Sequence, residues 1–173
     1  MVEQIDEVTI RPATTQDAAG IAGVHVRSWQ EAYAGIVPDE YLRSLDPAQR
    51  VERWTQLLAN GPADHVRTFV AESGGRLLGF ASYGPSRDED ARRREREIYS
   101  IYLDPGTWGH GVARDLMRTV LAEVGEQTPM SLWVLADNAR ARHFYRRHGF
   151  APDIERIEQV GGADLLEVRY RRG

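Results

Sequence analysis

The sequence has no cysteine among its 173 residues. A thiol nucleophile, a disulfide framework and a cysteine-based zinc site are therefore all excluded. The five histidines do not replace them, since His143 and His148 are five positions apart and do not share one face of a helix. We accordingly expect no metal site.

Three further features are missing. No stretch approaches the ~18 consecutive apolar residues of a membrane span. The net charge of −4 lacks the basic excess of a nucleic-acid-binding domain. Residues 1–7 lack the basic segment and apolar run of a secretion signal. These absences predict a cytoplasmic protein that binds neither nucleic acid nor a membrane.

The remaining composition is that of a folded chain, with 42% hydrophobic and 28% charged residues. Its length suits one domain spanning residues 1–173. Alternating and 3.6-residue apolar periods predict the element order β-α-α-β-β-β-α-β-α-β-β, a mixed α/β layer fold. The last two strands form a hairpin around Gly161 and Gly162, and a homodimer through an edge strand of this hairpin stays open.

Residues 103–114 join a predicted strand directly to an amphipathic helix. Gly109 and Gly111 allow a tight bend, and the helix start offers free N–H groups to a phosphate. Arg114 can add a charge-assisted contact. A plain strand-to-helix turn is the alternative. The Walker pattern is excluded because the Gly-Lys-Ser/Thr triplet is absent, and the dinucleotide fingerprint needs glycine or alanine where Arg114 stands.

A second notable segment covers residues 136–150. Asn138 suits a helix N-cap and Gly149 a helix end, and Phe150 suits the core. Tyr145 is either a packed aromatic residue or a functional one.

Together the two segments resemble the GNAT acetyltransferases. Gly109, Gly111 and Ala113 are similar to the family's pyrophosphate-binding motif, with Trp108 where the family usually has Gln or Arg. The run from Asn138 through Tyr145 to Gly149-Phe150 resembles the second signature, with Arg142 in place of the usual alanine and an alanine shifted to Ala141. The resemblance implies a layered α/β fold of the GNAT type. Its mixed, mostly antiparallel sheet would have about seven strands, flanked by about four to five helices.

The resemblance also implies direct transfer of an acetyl group from acetyl-coenzyme A to a primary amine within a ternary complex. No cysteine is present to carry the acetyl group, and no Gly-x-Ser-x-Gly elbow supports a serine route. The residues implied to contact the cofactor are Ile101, Tyr102, Leu103, Trp108, Gly109, His110, Gly111, Val112, Ala113, Arg114, Asn138 and Tyr145.

Two of the implied residues are catalytic. Tyr145 matches the residue that protonates the coenzyme A thiolate in similar enzymes. Glu97 opens the strand before the glycine turn and is the candidate general base, acting through water. The alternative for Glu97 is a solvent-facing acid at the end of a charged run. Strict alternation predicts that Glu97, Tyr99, Ile101 and Leu103 share one strand face.

The acceptor, a small-molecule amine or a protein amino group, is expected beside Trp29 and Tyr33, which are similar to the acceptor wall of a bacterial GNAT subgroup. Core packing is the alternative for Trp29. Tyr83 and Trp133 are weaker candidates, and residues 86–97 are predicted to form a solvated loop. A non-catalytic acyl-coenzyme A sensor with the GNAT fold remains the alternative function.

Overall fold

The computed structural model describes residues 7–173. Residues 1–6, which entered the prediction about a secretion signal, lie outside the described residues. The strands are β1 Thr9–Pro12, β2 Arg67–Ser73, β3 Arg76–Pro85, β4 Arg96–Leu103, β5 Met130–Leu135, β6 Ala151–Val160 and β7 Ala163–Arg172. The helices are α1 Ala18–Ala32, α2 Asp39–Ser44, α3 Ala48–Asn60, α4 Val112–Val124 and α5 Ala139–Arg147.

All seven strands form one sheet in the order β1-β2-β3-β4-β5-β7-β6. Every neighbouring pair is antiparallel except β4 and β5. Gly74 and Gly75 join β2 to β3 and both have positive φ, as a two-residue hairpin turn of the primed type requires. The predicted mixed, mostly antiparallel sheet with flanking helices is confirmed.

The parallel pair β4–β5 is short. Its register covers three residue pairs, from Arg96 opposite Met130 to Ile98 opposite Leu132. Beyond Ile98 the strands are no longer paired, so a gap opens in the middle of the sheet toward the carboxyl ends of β4 and β5. Backbone N–H and C=O groups along this gap are left for another partner.

A bulge lies where this gap begins. Tyr83 pairs with Ile98 and Ser82 with Ser100, which leaves Tyr99 as the extra residue of β4. Directly paired residues point to the same face. Ile98, Ile101 and Leu103 therefore face the α4 side, and Glu97, Ser100 and Tyr102 face the α1 side. The prediction that Glu97 shares a face with Ile101 and Leu103 was wrong because a bulge breaks the alternation.

Both faces of the sheet are covered. On one face α4 and α5 pack on a core that includes Leu116, Met117, Leu132, Phe150 and Tyr170. On the other face α1 and α3 pack on a core that includes Ile21, Trp54, Val70 and Phe80. A third cluster joins α1 and α2 to the end of β5 through Tyr33, Leu42 and Leu135. The gap between β4 and β5 thus opens between two helical layers.

β6 is an edge strand whose residues are almost all exposed, including Ile154 and Ile157. The homodimer through this edge stays a prediction. None of the helices within residues 7–173 is long and apolar enough to cross a membrane. Within the same residues, no three His, Asp or Glu side chains are grouped so that they could hold a metal ion.

Candidate active site

The glycine loop stands between β4 and α4, at one end of the gap. Gly109 and Gly111 have φ of +83° and +80°, in the left-handed region that favours glycine. Gly111 is the residue directly before α4, and a Cβ at Gly109 would meet nothing within 4 Å. The first N–H groups of α4, from Val112 onward, have no carbonyl within the helix to bind. This loop and helix start form a site suited to an anion.

The residues predicted around this loop are brought together. Arg114 folds back over the loop, since its guanidinium lies 2.9 Å from the position of a Cβ at Gly111. Its Nε also donates to Asp115. The His110 ring lies against the Thr107 and Trp108 carbonyl oxygens. The arginine that sequence reasoning missed is Arg140, at the start of α5, whose guanidinium stacks 4.3 Å from the Trp108 ring.

Asn138 and Arg142 fix α5 beside the gap. The Asn138 Oδ1 accepts a hydrogen bond from the Ala141 N–H at 3.2 Å, so Asn138 caps α5 as expected. Arg142 stands where the family usually has alanine. It donates to the Tyr170 hydroxyl at 2.8 Å and to the Ala136 carbonyl at 2.9 Å. These bonds fasten α5 to the sheet and thereby position Tyr145.

Tyr145 is 9% exposed, and its ring packs against Phe150 and Tyr170. Its hydroxyl has no hydrogen-bond partner among residues 7–173. Burial raises the pKa of Tyr145 well above its usual range, and the phenol of Tyr102 on β4 raises it further. Tyr145 is therefore a neutral phenol that keeps its proton, and no group within residues 7–173 accepts a hydrogen bond from it.

An aromatic wall lies on the α1 side of β4, formed by Trp29, Tyr33 and Tyr102. The rings of Trp29 and Tyr33 meet edge to face at 4.8 Å, and Trp29 lies 6.3 Å from Tyr102. The Trp29 indole nitrogen lies near the Tyr102 hydroxyl but outside hydrogen-bonding geometry. Burial raises the pKa of Tyr33 and of Tyr102, so both are neutral phenols.

Glu167 on β7 adds a carboxylate to this side of the sheet, and sequence reasoning missed it. It pairs with Leu135, the last residue of β5, and accepts a hydrogen bond from Arg156 Nε at 2.9 Å. Its charge contributes to the raised pKa of Tyr33 and Tyr102, which places it near the aromatic wall.

The two weaker acceptor candidates lie apart from this wall. Tyr83 belongs to the core on the α4 face and lines a cavity of about 940 Å³ near the start of β4. The structure therefore does not bring Tyr83 to Trp29 and Tyr33. Trp133 faces the α1 side, but Arg156 stacks 3.9 Å from its ring and its Nε1 donates to Asp88.

Glu97 is 2% exposed and is held by Arg87. Its carboxylate accepts from the Arg87 N–H at 3.0 Å, from Nε at 3.2 Å and from Nη2 at 2.5 Å. The alternative of a solvent-facing acid is thus wrong. Arg87 belongs to the β3–β4 loop and is itself largely exposed, with its guanidinium stacked over Tyr99.

Most of the β3–β4 loop is exposed, as the prediction of a solvated loop stated, but its last acidic residues are buried and arginines of β7 hold several of its carboxylates. Arg169 on β7 is 1% exposed and binds Asp88 and Asp90 of the loop and Asp153 of β6. Arg171 binds the buried Glu95. Hydrogen bonds from Arg169 hold the pKa of Asp90 at about 2. The counter-ions come from β7, far along the chain, so the local run of charges could not reveal them.

The comparisons with known proteins agree with this geometry. The model of the acetyltransferase (GNAT) family matches residues 25–150. An uncharacterized N-acetyltransferase of Bacillus subtilis, YuaI, is 33% identical over 93% of this chain and 90% of its own length. The PaiA N-acetyltransferase of Thermoplasma acidophilum, solved in complex with coenzyme A, superposes with a TM-score of 0.74 at 19% identity, covering 96% of this chain and 99% of that one.

The protein YncA of Salmonella typhimurium, solved with its cofactor acetyl-CoA, gives a TM-score of 0.73 at 22% identity, over 96% of this chain and 93% of that one. Both solved structures share the fold described above. Since the family match covers well over half of the chain and the Bacillus relative spans nearly all of it, the protein is an enzyme of the GNAT acetyltransferase family.

Proposed function

We propose that the protein moves the acetyl group of acetyl-CoA directly onto a primary amine. The observation that carries this proposal is the gap between β4 and β5, with a loop suited to an anion at one end. Beside the gap lies the Tyr145 hydroxyl, which has no hydrogen-bond partner among the described residues. Two proteins of the same fold have been solved with coenzyme A or acetyl-CoA.

The cofactor would bind along this gap. Its pyrophosphate would accept hydrogen bonds from the loop at Gly109 and Gly111 and from the first N–H groups of α4. The guanidinium groups of Arg114 and Arg140 add positive charge there. The pantetheine arm would pair with the free backbone edge of β4. A backbone N–H near Ile101 to Leu103 would then polarise the thioester carbonyl.

The attacking amine must first lose a proton, because a free alkylamine has a pKa near ~10.4. We assign this step to Glu97, acting through a water molecule. Glu97 faces the α1 side together with Tyr102, which is the side of Trp29 and Tyr33. Arg87 fixes the carboxylate without using every lone pair of its oxygens.

Attack then forms the N–C bond, and the C–S bond breaks as the tetrahedral intermediate collapses. The leaving thiolate, whose conjugate acid has a pKa of ~8.5, takes a proton from Tyr145. The ammonium group loses two protons on becoming an amide. The first goes to Glu97 through water before attack, and the second leaves the nitrogen after attack and restores the hydroxyl of Tyr145 through water, so charge and protons balance. The acceptor would approach from the aromatic wall formed by Trp29, Tyr33 and Tyr102.

The test is to incubate the protein with acetyl-CoA and a panel of small amines, amino acids and peptide N-termini. Free thiol and the mass of the product are measured together. We expect one thiol for each acetylated amine. Tight coenzyme A binding with no thiol release from any amine in the panel would instead favour the acyl-CoA sensor.

A further inference from the structure

A second cavity lies between α1, α2 and α3, apart from the glycine loop. Its volume is about 200 Å³, and its polar lining consists of His25, Trp29, Tyr41, Arg50 and Arg53. None of the described side chains that line it is acidic. The cavity touches the aromatic wall, because the His25 ring stacks on Tyr102 at 5.2 Å and Trp29 meets Tyr33.

The lining contains a buried polar atom without a partner in the described chain, the Nδ1 of His25. Buried polar atoms in folded proteins nearly always have a partner, so this exception calls for an explanation. The Trp29 indole nitrogen, by contrast, lies near the Tyr102 hydroxyl, which is an acceptor outside the cavity lining.

The charges that line the cavity favour an anion. Within residues 7–173, neither Arg50 nor Arg53 is in an ion pair; Arg50 has one long bond, of 3.4 Å, to the Asp46 carbonyl. Burial, helped by these two guanidinium groups, lowers the pKa of His25 to about 4. The uncharged imidazole at neutral pH leaves a cavity whose charge comes from the two arginines, with no acidic side chain in its described lining.

We propose that this cavity binds a small anion, a carboxylate or a phosphate group. The two guanidinium groups supply donors, and charge-assisted bonds of this kind are strong. Trp29 lines the cavity, so its indole signal reports on a bound anion. The anion is either an acidic group of the acceptor itself or a separate small molecule. The first source rests on the proposed function, since it makes the acceptor an amine that also carries a negative charge.

The first arm of the test needs no catalysis. The protein, labelled with nitrogen-15, is titrated with inorganic phosphate and with succinate at constant ionic strength, and the Trp29 indole signal is followed. A Trp29→Phe variant identifies that signal among the four tryptophans. We expect a saturable shift, and an Arg50→Gln/Arg53→Gln variant with at least about tenfold weaker binding.

The matched control is Arg43→Gln, which removes one exposed positive charge from neighbouring α2 and does not line the cavity. This variant should bind phosphate and succinate with the same affinity as the unaltered protein. No saturable shift with either anion, or equal affinities in the double variant and the control, would overturn the site.

The second arm decides whether the anion is an acidic group of the acceptor or a separate small molecule. Turnover is compared for amino acids and for the amines that they give on loss of the carboxyl group. If the acceptor supplies the anion, Arg50→Gln raises KM about tenfold for the amino acids only. If KM does not change while the indole shift persists, a separate anion is the ligand. Absence of thiol release from every amine would count against the proposed function alone, because the first arm still decides the site.

Discussion

Replacing Tyr145 with phenylalanine removes one hydroxyl and keeps the ring that packs against Phe150 and Tyr170. Because that hydroxyl has no protein partner within residues 7–173, we expect the free energy of unfolding to change by less than about 0.5 kcal/mol. Loss of the general acid should lower kcat about a hundredfold while the affinity for coenzyme A stays the same. Steady-state kinetics measures kcat, and calorimetry measures the coenzyme A affinity and the stability. An unchanged kcat would remove Tyr145 from the mechanism.

Glu97 has a matched control two residues away. Glu95 is also buried, and it accepts from Arg171 and from the Arg92 N–H, near the large cavity away from the glycine loop. Exchange of either glutamate for glutamine removes the charge of a buried carboxylate that accepts hydrogen bonds from an arginine, so both variants should lose about 1–3 kcal/mol of stability. Only Glu97→Gln should lower kcat, by about a hundredfold at neutral pH. Equal kcat values in the two variants would show that Glu97 has a structural role only.

His25 makes stability depend on pH within a defined window. Its pKa falls from 6.5 to about 4 on folding, through burial and then the charges of Arg50 and Arg53. Above pH 6.5 the ring is neutral in both states. As the pH falls from 6.5 to 4 the unfolded chain takes up the proton first, so the folded state loses about 3 kcal/mol.

Denaturant unfolding of the wild-type protein and of His25→Gln, at pH 7 and at pH 4.5, measures this loss. The free energy of unfolding of the His25→Gln variant should change less between these two pH values than that of the wild-type protein. Asp17, Asp90 and Asp153 have pKa values lowered from 3.8 and therefore act mainly below the window. Equal slopes for the two proteins would mean that folding does not lower the pKa of His25.

At the scale of an element, the glycine loop can be tested against the β2–β3 turn. Gly109 and Gly75 have φ of +83° and +79°, and a Cβ at either position meets nothing within 4 Å. Alanine at each should therefore cost about 1 kcal/mol of stability from backbone strain alone. Only Gly109→Ala should weaken coenzyme A binding, about tenfold, in a calorimetric titration. An equal loss of coenzyme A affinity in Gly75→Ala would show that the loss follows from lower overall stability and not from a contact of the glycine loop with the cofactor.

Some elements could be predicted because their signals are local. Asn138 caps α5, and the turn at Gly161 and Gly162 joins the last two strands, as the sequence indicated. The bulge at Tyr99 could not be predicted, since it depends on how β3 pairs with β4. The same holds for the β3–β4 loop, whose carboxylates find arginines on β7, and for the cavity between α1 and α3, which only packing creates.

At the scale of the whole molecule, the gap divides the sheet into β1–β4 and β5–β7, joined by three register pairs. Other contacts cross the division: Tyr33 packs in one cluster with Leu135, and Arg169 binds Asp88 of the loop. We therefore propose that residues 1–173 form a single domain that unfolds in one transition.

Coenzyme A bound in the gap would bridge the two parts of the sheet, so it should raise the midpoint of that single transition. Above the Kd, the added free energy of unfolding should grow by about 1.4 kcal/mol for each tenfold increase in free coenzyme A. Differential scanning calorimetry over a range of coenzyme A concentrations measures this slope. In Gly109→Ala the same increase should begin at about tenfold higher coenzyme A concentration, because this variant binds coenzyme A more weakly. Two transitions, of which coenzyme A moves only one, would contradict the single domain, because the parts of the sheet on either side of the gap would then unfold independently.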